Sequence, residues 1–218
     1  MSVTLEQRPF GNTDTTTTAL GLGCGHIAKH SFATGVDTIH RALELGVRYF
    51  DTAPFYGRGA SQAVLGEALQ NRTEDYLLAT KVGRLRTPSH FRSVDAIRAQ
   101  LDENLRLLRR TEVDVLQIHE ADWHAWWSDT PREDEGSNVD HAIDYEFDEA
   151  PVMRVLREAR EQSVCKAIGV TGNSAVDTAF VLRHMSTSTP TCSLSTTTPW
   201  CVRPAPCHSP WHERRGWR

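Results

Sequence analysis

Short apolar runs alternate with amphipathic stripes along most of the chain. A short apolar run predicts a buried strand, and apolar positions that recur every three or four residues predict a helix with one buried face. Strands that alternate with helices of this length indicate right-handed crossovers and a parallel sheet. The predicted strands cover residues 18–23, 47–50, 76–82, 113–118 and 166–170. The predicted helices cover residues 34–45, 61–69, 93–108, 151–159 and 174–182.

Residues with capping preferences lie where these helices begin and end. Ser93 and Ser174 are predicted N-caps, and Pro151 suits a first helical turn. Gly46 is a predicted C-cap. The caps and the apolar stripes therefore agree on about five strand–helix units.

Units of this kind fit either an open, doubly wound sheet or a (β/α)8 barrel of the TIM type. The first strand ends in the glycine-rich segment Gly21–Gly25, with which a dinucleotide-binding fingerprint could begin. The third glycine of that fingerprint is absent, because position 26 is His26, and the acid Asp51 comes too far along the chain. The fingerprint is disfavoured, and the two architectures stay open on the residues alone.

The chain changes character after residue 184. Ten of the thirteen residues from Ser186 to Thr198 are Ser or Thr, and five of the ten prolines lie in the segment 185–218. Because no apolar period runs through that segment, we expect an irregular tail without helix or strand. A flexible extension and a continuation in a shifted reading frame both explain it. The abrupt break inside a repeating pattern favours the second, in which the native continuation of the repeat has been replaced.

Composition narrows the class of protein. The 218 residues carry a formal net charge of −4 and are 39% hydrophobic, which is typical of one globular domain or at most two. The mildly acidic balance argues against nucleic acid or an anionic membrane as the partner. We expect no membrane span and no signal peptide. Cys24 and Cys165 have no close cysteine neighbour, so a cytoplasmic location is expected.

Four polar side chains follow successive predicted strands. Asp51 ends the second strand, Tyr56 lies in the loop after it, Lys81 ends the third strand and His119 ends the fourth. Carboxyl ends of parallel strands share one edge of the sheet, so we expect the four side chains to converge there.

This combination suits proton transfer to a carbonyl oxygen. A tyrosine phenol has a pKa near ~10, and a neighbouring lysine ammonium favours the phenolate. A carboxylate behind the lysine keeps it charged, and a histidine can polarise the substrate oxygen. No side chain supplies a hydride, so the chemistry implies a nicotinamide cofactor.

Five segments around these residues resemble the aldo-keto reductase family over roughly residues 5–184, most closely its bacterial aldose (sugar) dehydrogenase-like branch. They are residues 49–57 (YFDTAPFYG), 61–69 (SQAVLGEAL), 79–82 (ATKV), 113–119 (VDVLQIH) and 167–170 (AIGV). The combination of the D-T-A-x-x-Y-G loop with the later lysine and histidine is more specific than any one segment.

The resemblance implies a (β/α)8 TIM barrel, here incomplete, that uses NADP or NAD. It makes Asp51, Tyr56, Lys81 and His119 the catalytic tetrad, with Asp51 also at the cofactor. The family often has a Ser-Asn pair after the fifth strand that holds the nicotinamide carboxamide. Here the pair is split, and Asn173 takes that role.

The long loop after the fourth strand, residues 120–149, is expected to shape the substrate pocket. Trp123 is a candidate to stack on a sugar or an aromatic substrate, although loop packing explains it equally well. A metal cluster of His119, Glu120, Asp122 and His124 is disfavoured, because the tetrad already explains the first of these residues.

The sequence therefore predicts an NAD(P)-dependent oxidoreductase that interconverts an alcohol and a small carbonyl compound or sugar, with Tyr56 as general acid and base. The alternative is a truncated, catalytically silent remnant with weak or no cofactor binding. The sequence leaves the oligomeric state open.

Overall fold

The computed structural model describes residues 4–10, 15–130 and 138–185 and the backbone of 191–195 and 198–202. An antiparallel hairpin of β1 (Gln7–Pro9) and β2 (Thr16–Thr18) precedes the strand–helix repeat. The repeat comprises β3 (Leu22–Gly23), α1 (Phe32–Glu44), β4 (Tyr49–Asp51), α2 (Ala60–Leu69), β5 (Leu77–Val82), α3 (Val94–Leu108), β6 (Val113–Ile118), α4 (Pro151–Glu161), β7 (Cys165–Gly172), α5 (Ala175–His184), β8 (Thr191–Ser195) and β9 (Thr198–Val202).

The main sheet has the strand order β3-β4-β5-β6-β7-β8-β9. Every neighbouring pair from β3 to β8 is parallel, and β9 runs antiparallel to β8. The prediction of a parallel sheet with five strand–helix units is confirmed. The fold is of the (β/α)8 TIM-barrel type and incomplete, because the described strands form an open sheet with β3 and β9 at its edges.

Two sequence predictions of strands are wrong. The strand predicted over 18–23 divides, because Thr16–Thr18 pairs with the N-terminal strand and only Leu22–Gly23 joins the main sheet. The segment after residue 184, predicted to hold no strand, contributes β8 and β9. Without β8, the edge of β7 would present unpaired backbone groups, and residues such as threonine pair readily with such an edge. The interpretation of the tail as frame-shifted stays a prediction.

The predicted N-terminal residues Ser93, Pro151 and Ser174 are where the sequence places them, whereas the C-cap of α1 is Leu45 and the predicted Gly46 comes directly after it. The hydroxyl oxygens of Ser93 and Ser174 accept hydrogen bonds from the third backbone N–H beyond them and so begin α3 and α5. Pro151 opens α4, and Gly46 follows α1 with a left-handed φ of 89°. These local signals fix the helix bounds to within about two residues of prediction.

Two apolar clusters fill the two faces of the sheet. The larger one packs the inner stripes of α1 to α4 against the outer faces of the strands, and Ile39, Val64 and Ile97 are each fully buried in it. The smaller one lies near the amino ends of the strands, where Phe10 stacks on Tyr49 at 6.0 Å between ring centroids. The hairpin thus covers the end of the sheet opposite the predicted site. Within the described ranges, no helix has the length and apolar character that a membrane crossing requires.

Candidate active site

The Lys81 ammonium lies at the centre of the site. Its Nζ atom donates to Oδ1 of Asp51 at 2.5 Å, to the backbone oxygen of Thr52 at 2.9 Å and to Oη of Tyr56 at 3.4 Å. An ammonium has three N–H donors, so these three acceptors satisfy it completely. The lysine side chain is 3% exposed, and its charge is therefore balanced by Asp51 within the protein rather than by water.

A buried glutamine in the next strand fixes the carboxylate. Gln117 Nε2 donates to Oδ2 of Asp51 at 3.1 Å, and Gln117 lies opposite Lys81 in the register of β5 and β6. Gln117 is not among the site residues predicted from the sequence. Its signal was a lone amide in the middle of an apolar strand, which requires a polar partner when buried.

The loop that carries Tyr56 is held by a chain of hydroxyl groups. Ser61 Oγ donates to the backbone oxygen of Cys24 and lies 2.8 Å from Oγ1 of Thr52. Between Thr52 and Ser61 the chain forms a short 3-10 turn over Tyr56–Gly59, in which Gly57 has a left-handed φ of 60°. This turn brings the phenol ring close to Gly25, which follows β3, and to the Lys81 ammonium of β5, which lies 4.8 Å from the ring centroid.

His119 lies edge-on to the phenol ring. The two ring centroids are 5.6 Å apart at an interplanar angle of 85°. Burial, followed by the charges of Lys81 and Arg84, lowers the pKa of His119 to about 3, so the imidazole is neutral at physiological pH. Its Nδ1 atom is buried and has no hydrogen-bond partner among the described residues. A neutral imidazole can donate one hydrogen bond to a substrate oxygen.

Gly83 allows the close approach on which the position of His119 depends. A Cβ atom on Gly83 would lie 2.8 Å from Cβ of His119 and 2.9 Å from Cζ2 of Trp126, closer than non-bonded carbons approach. The glycine also has a φ of 139°. The ends of β5 and β6 can therefore meet only with glycine at this position.

A pocket of about 510 Å³ opens on one side of the phenol. Its wall combines backbone, apolar and basic groups, contributed by the loop after β3 and by the loop after β4. The lining residues are Gly25, His26, Ala28, Lys29, Phe55, Tyr56, Gly57 and Ala60. The volume suits a planar ring or a small carbonyl compound.

Trp123 is joined to this pocket through Arg84. The guanidinium carbon of Arg84 lies 4.5 Å from the Trp123 ring and 4.7 Å from the Phe55 ring, so the cation is stacked between two aromatic faces. Phe91 stacks on the far side of Trp123, with ring centroids 6.1 Å apart.

Asn173 directly follows β7 and lies at the carboxyl ends of the strands, which we call the rim of the sheet. Its Nδ2 donates to Oε1 of Glu120 at 2.7 Å, and its backbone N–H donates to Oδ2 of Asp122 at 2.8 Å. Arg84 Nη2 donates to the same oxygen of Glu120. Burial raises the pKa of Glu120, and the neighbouring guanidinium and amide oppose that shift. The Arg84–Glu120 pair is not among the contacts predicted from the sequence.

Both ring nitrogens of His124 form hydrogen bonds to residues of the loop after β6. Its Nδ1 lies 2.8 Å from Oη of Tyr145, and its Nε2 lies 3.1 Å from the backbone oxygen of Thr130. In the part of the chain that the structure describes, no three His, Cys, Asp or Glu side chains are arranged to hold a metal ion.

Comparisons with known proteins identify the family to which the chain is similar. The model of the Aldo/keto reductase family matches residues 19–196. L-galactose dehydrogenase of Arabidopsis thaliana is 29% identical over 77% of this chain and 49% of its own length. D-threo-aldose 1-dehydrogenase of a Pseudomonas species is 27% identical over 70% of this chain and 49% of its own length. The chain therefore spans about half the length of these curated relatives.

A solved structure shares the fold. The aldo/keto reductase from Klebsiella pneumoniae in complex with NADP and acetate superposes with a TM-score of 0.59 and 20% identity. The superposition covers 81% of this chain and 53% of that one.

Proposed function

The chain belongs to the aldo/keto reductase family, and we propose that it interconverts a small carbonyl compound and an alcohol with NADP or NAD as cofactor. The convergence of Asp51, Tyr56, Lys81 and His119 at one rim of the sheet is the observation that carries this proposal. Each of these side chains has a separate task in such a reaction.

Tyr56 is the proposed general acid in the direction of carbonyl reduction. Its hydroxyl proton goes to the carbonyl oxygen of the substrate, and the Lys81 ammonium, which already donates to Oη, stabilises the phenolate that remains. In alcohol oxidation the phenolate takes the proton back. Positioned acids of this kind contribute typically ~10²–10⁴-fold to a rate.

Asp51 balances the charge of Lys81 and fixes the direction of its ammonium group. The 2.5 Å contact fixes the ammonium from one side, and the backbone oxygen of Thr52 fixes it from another, so its remaining N–H points at the phenol. The net charge of the buried pair is zero, so the site holds the lysine without an uncompensated charge.

His119 is the proposed hydrogen-bond donor to the substrate oxygen. Because its pKa is about 3, it polarises that oxygen as a neutral imidazole and leaves proton donation to the phenol. Its edge-on contact with Tyr56 places the two groups on the same side of the site.

The residues at this rim fit a nicotinamide cofactor. When bound, such a cofactor supplies the hydride that no side chain can provide. The pocket beside Tyr56 has room for the ring, the backbone of Gly25 lines it, and Asn173 presents an exposed amide on the same rim. We propose Asp51 and Asn173 as the cofactor-binding residues. On the same fold, the Klebsiella pneumoniae structure is in complex with NADP.

The proposed substrates are small carbonyl compounds, with sugars as the first candidates. Two curated relatives are named for aldose substrates, L-galactose and D-threo-aldoses. Trp123 and the stacked Arg84 give the rim an aromatic surface with hydrogen-bond donors, which suits a hydroxylated substrate. The proposal includes a cytoplasmic location, since Cys24 and Cys165 are buried free thiols.

Turnover by the purified chain tests this function. The absorbance of NADPH is followed with small aldehydes, and the formation of NADPH or NADH is followed with aldoses. Tyr56→Phe should lower kcat by at least about 10²-fold. The matched control is Tyr76→Phe, whose hydroxyl contacts Arg110 away from the site, and it should keep full activity. Full activity in Tyr56→Phe would contradict the acid assignment. No turnover and no saturable NADPH binding by the unmodified chain would instead support the catalytically silent alternative.

A further inference from the structure

One carboxylate oxygen joins three strand ends at the rim. Oε1 of Glu120, which directly follows β6 and His119, accepts from Arg84 after β5 and from Asn173 after β7. The backbone N–H of Glu120 donates to Oγ1 of Thr171 at 3.2 Å, which ties the same residue to β7 a second time.

The backbone reaches this arrangement in an unfavourable conformation. Arg84 has a φ of 54° and Glu120 a φ of 59°, although neither is a glycine, asparagine or aspartate. Left-handed conformations of such residues concentrate at functional sites, where the surrounding structure enforces them. Glu120 is 4% exposed, and its second carboxylate oxygen is buried without a hydrogen-bond partner among the described residues.

The contact with Glu120 decides which way the Asn173 amide faces. An asparagine amide carries a donor and an acceptor on opposite sides, and only its hydrogen-bond partners distinguish the two orientations. A carboxylate oxygen can only accept from the amide, so Nδ2 must face Glu120. Oδ1 is then the atom that Asn173 offers to a ligand.

We propose that Glu120 is a positioning residue that holds Asn173 with Oδ1 available to accept from the NH₂ group of the nicotinamide carboxamide. The inference rests on the proposed function, because it requires that a nicotinamide binds at this rim. It goes beyond that function by naming the residue that sets the polarity of the cofactor contact.

Arg84 balances the charge of Glu120 and links the same carboxylate to the pocket wall. Its guanidinium donates to Glu120 and lies between Phe55 and Trp123. Loss of the carboxylate therefore frees the amide of Asn173 and also leaves a half-buried cation unpaired. A second variant is needed to separate these two effects.

Two reduced cofactors that differ in one group test the proposal by binding alone. NADPH carries the carboxamide, and its acetylpyridine analogue carries a methyl ketone, which lacks the NH₂ donor. The Kd of each is measured by fluorescence titration. The unmodified chain should bind NADPH about threefold to tenfold more tightly than the analogue, the value of one neutral hydrogen bond.

Glu120→Met should abolish that preference, and Asn173→Ala should abolish it too. Glu120→Gln keeps an acceptor oxygen at the same distance and should retain most of it. Glu158→Met is the matched control, since Glu158 also pairs with two arginines, Arg98 and Arg154, but on α3 and α4. It should leave the preference unchanged.

A charge-balanced variant guards against misfolding. If Glu120→Met fails to fold, the double variant Arg84→Met/Glu120→Met removes both charges and should fold while still losing the preference. An unchanged preference in a folded Glu120 variant overturns the inference and leaves the proposed function intact. Absence of saturable binding of both NADPH and reduced nicotinamide mononucleotide to the unmodified chain removes the proposed function and this inference with it.

Discussion

Lys81 and Asp51 form a buried ion pair that bridges the ends of two neighbouring parallel strands, with 2.5 Å between Nζ and Oδ1. The Lys81 side chain is buried at 3% exposed, and the Asp51 side chain is largely shielded at 16% exposed. Breaking one half of such a pair leaves the other charge without compensation, whereas removing both halves does not. The pair therefore contributes to stability as well as to chemistry, and the two contributions can be measured separately.

Lys81→Met should lower the free energy of unfolding by about 3–5 kcal/mol, because it leaves the Asp51 carboxylate buried and unpaired. The double variant Asp51→Asn/Lys81→Met should recover most of that loss. Urea unfolding followed by circular dichroism measures both. Equal losses in the single and the double variant would show that burial of the carboxylate is not the cause.

His119 should make the stability of the fold depend on pH below neutrality. Its pKa is about 3 in the folded chain, against ~6.5 when unfolded, so between these values only the unfolded chain binds the proton. Stability is therefore present in full above pH 6.5 and falls as the pH is lowered towards 3, by about 1.4 kcal/mol per pH unit. The measurement is the unfolding free energy at pH 7 and pH 5.

His119→Asn should lack this contribution, so the unmodified chain should lose about 2 kcal/mol more than the variant between pH 7 and pH 5. Between pH 7 and pH 8 the two proteins should change alike. Parallel curves over the acidic interval would mean that the imidazole is not held neutral by burial.

Gly83→Ala should be more damaging than Gly46→Ala. Both glycines have a positive φ, so both substitutions carry a backbone cost of about 1–2 kcal/mol. A Cβ on Gly46 meets nothing within 4 Å, whereas one on Gly83 collides with His119. Thermal unfolding should show the larger loss for Gly83→Ala, and the activity of that variant should fall because the imidazole is displaced. Similar losses for both variants would remove the steric argument.

Parallel topology explains why the convergence of Asp51, Lys81 and His119 could be predicted from sequence. Each residue ends a short apolar run, and parallel strands present their carboxyl ends on one edge. The contact of Gln117 with this site could also have been predicted, because an amide in a buried strand requires a polar partner. Position at the strand ends predicts only that these side chains lie together, and it does not determine which of them acts as acid, as hydrogen-bond donor or as counter-charge.

The Arg84–Glu120 pair could not be predicted in the same way. Both residues adopt left-handed backbone conformations that their residue types do not signal, and the pairing spans 36 positions of chain. The strands β1, β2, β8 and β9 were missed for a related reason. The strands β1 (QRP) and β2 (TTT) are polar segments of three residues, and β8 (TCSLS) and β9 (TPWCV) carry only two or three apolar residues among Ser, Thr and Pro. Patterns this short do not predict a strand, so the pairing depends on a sheet edge or a neighbouring strand.

The most direct test of the account is a double-mutant cycle on turnover with Tyr56→Phe, Lys81→Met and the two combined. If Lys81 acts through the phenol, its loss has no further effect once the hydroxyl is gone, and the double variant should have the same kcat as Tyr56→Phe alone. Losses that multiply across the two sites would mean that the lysine and the tyrosine act independently, and would contradict the mechanism.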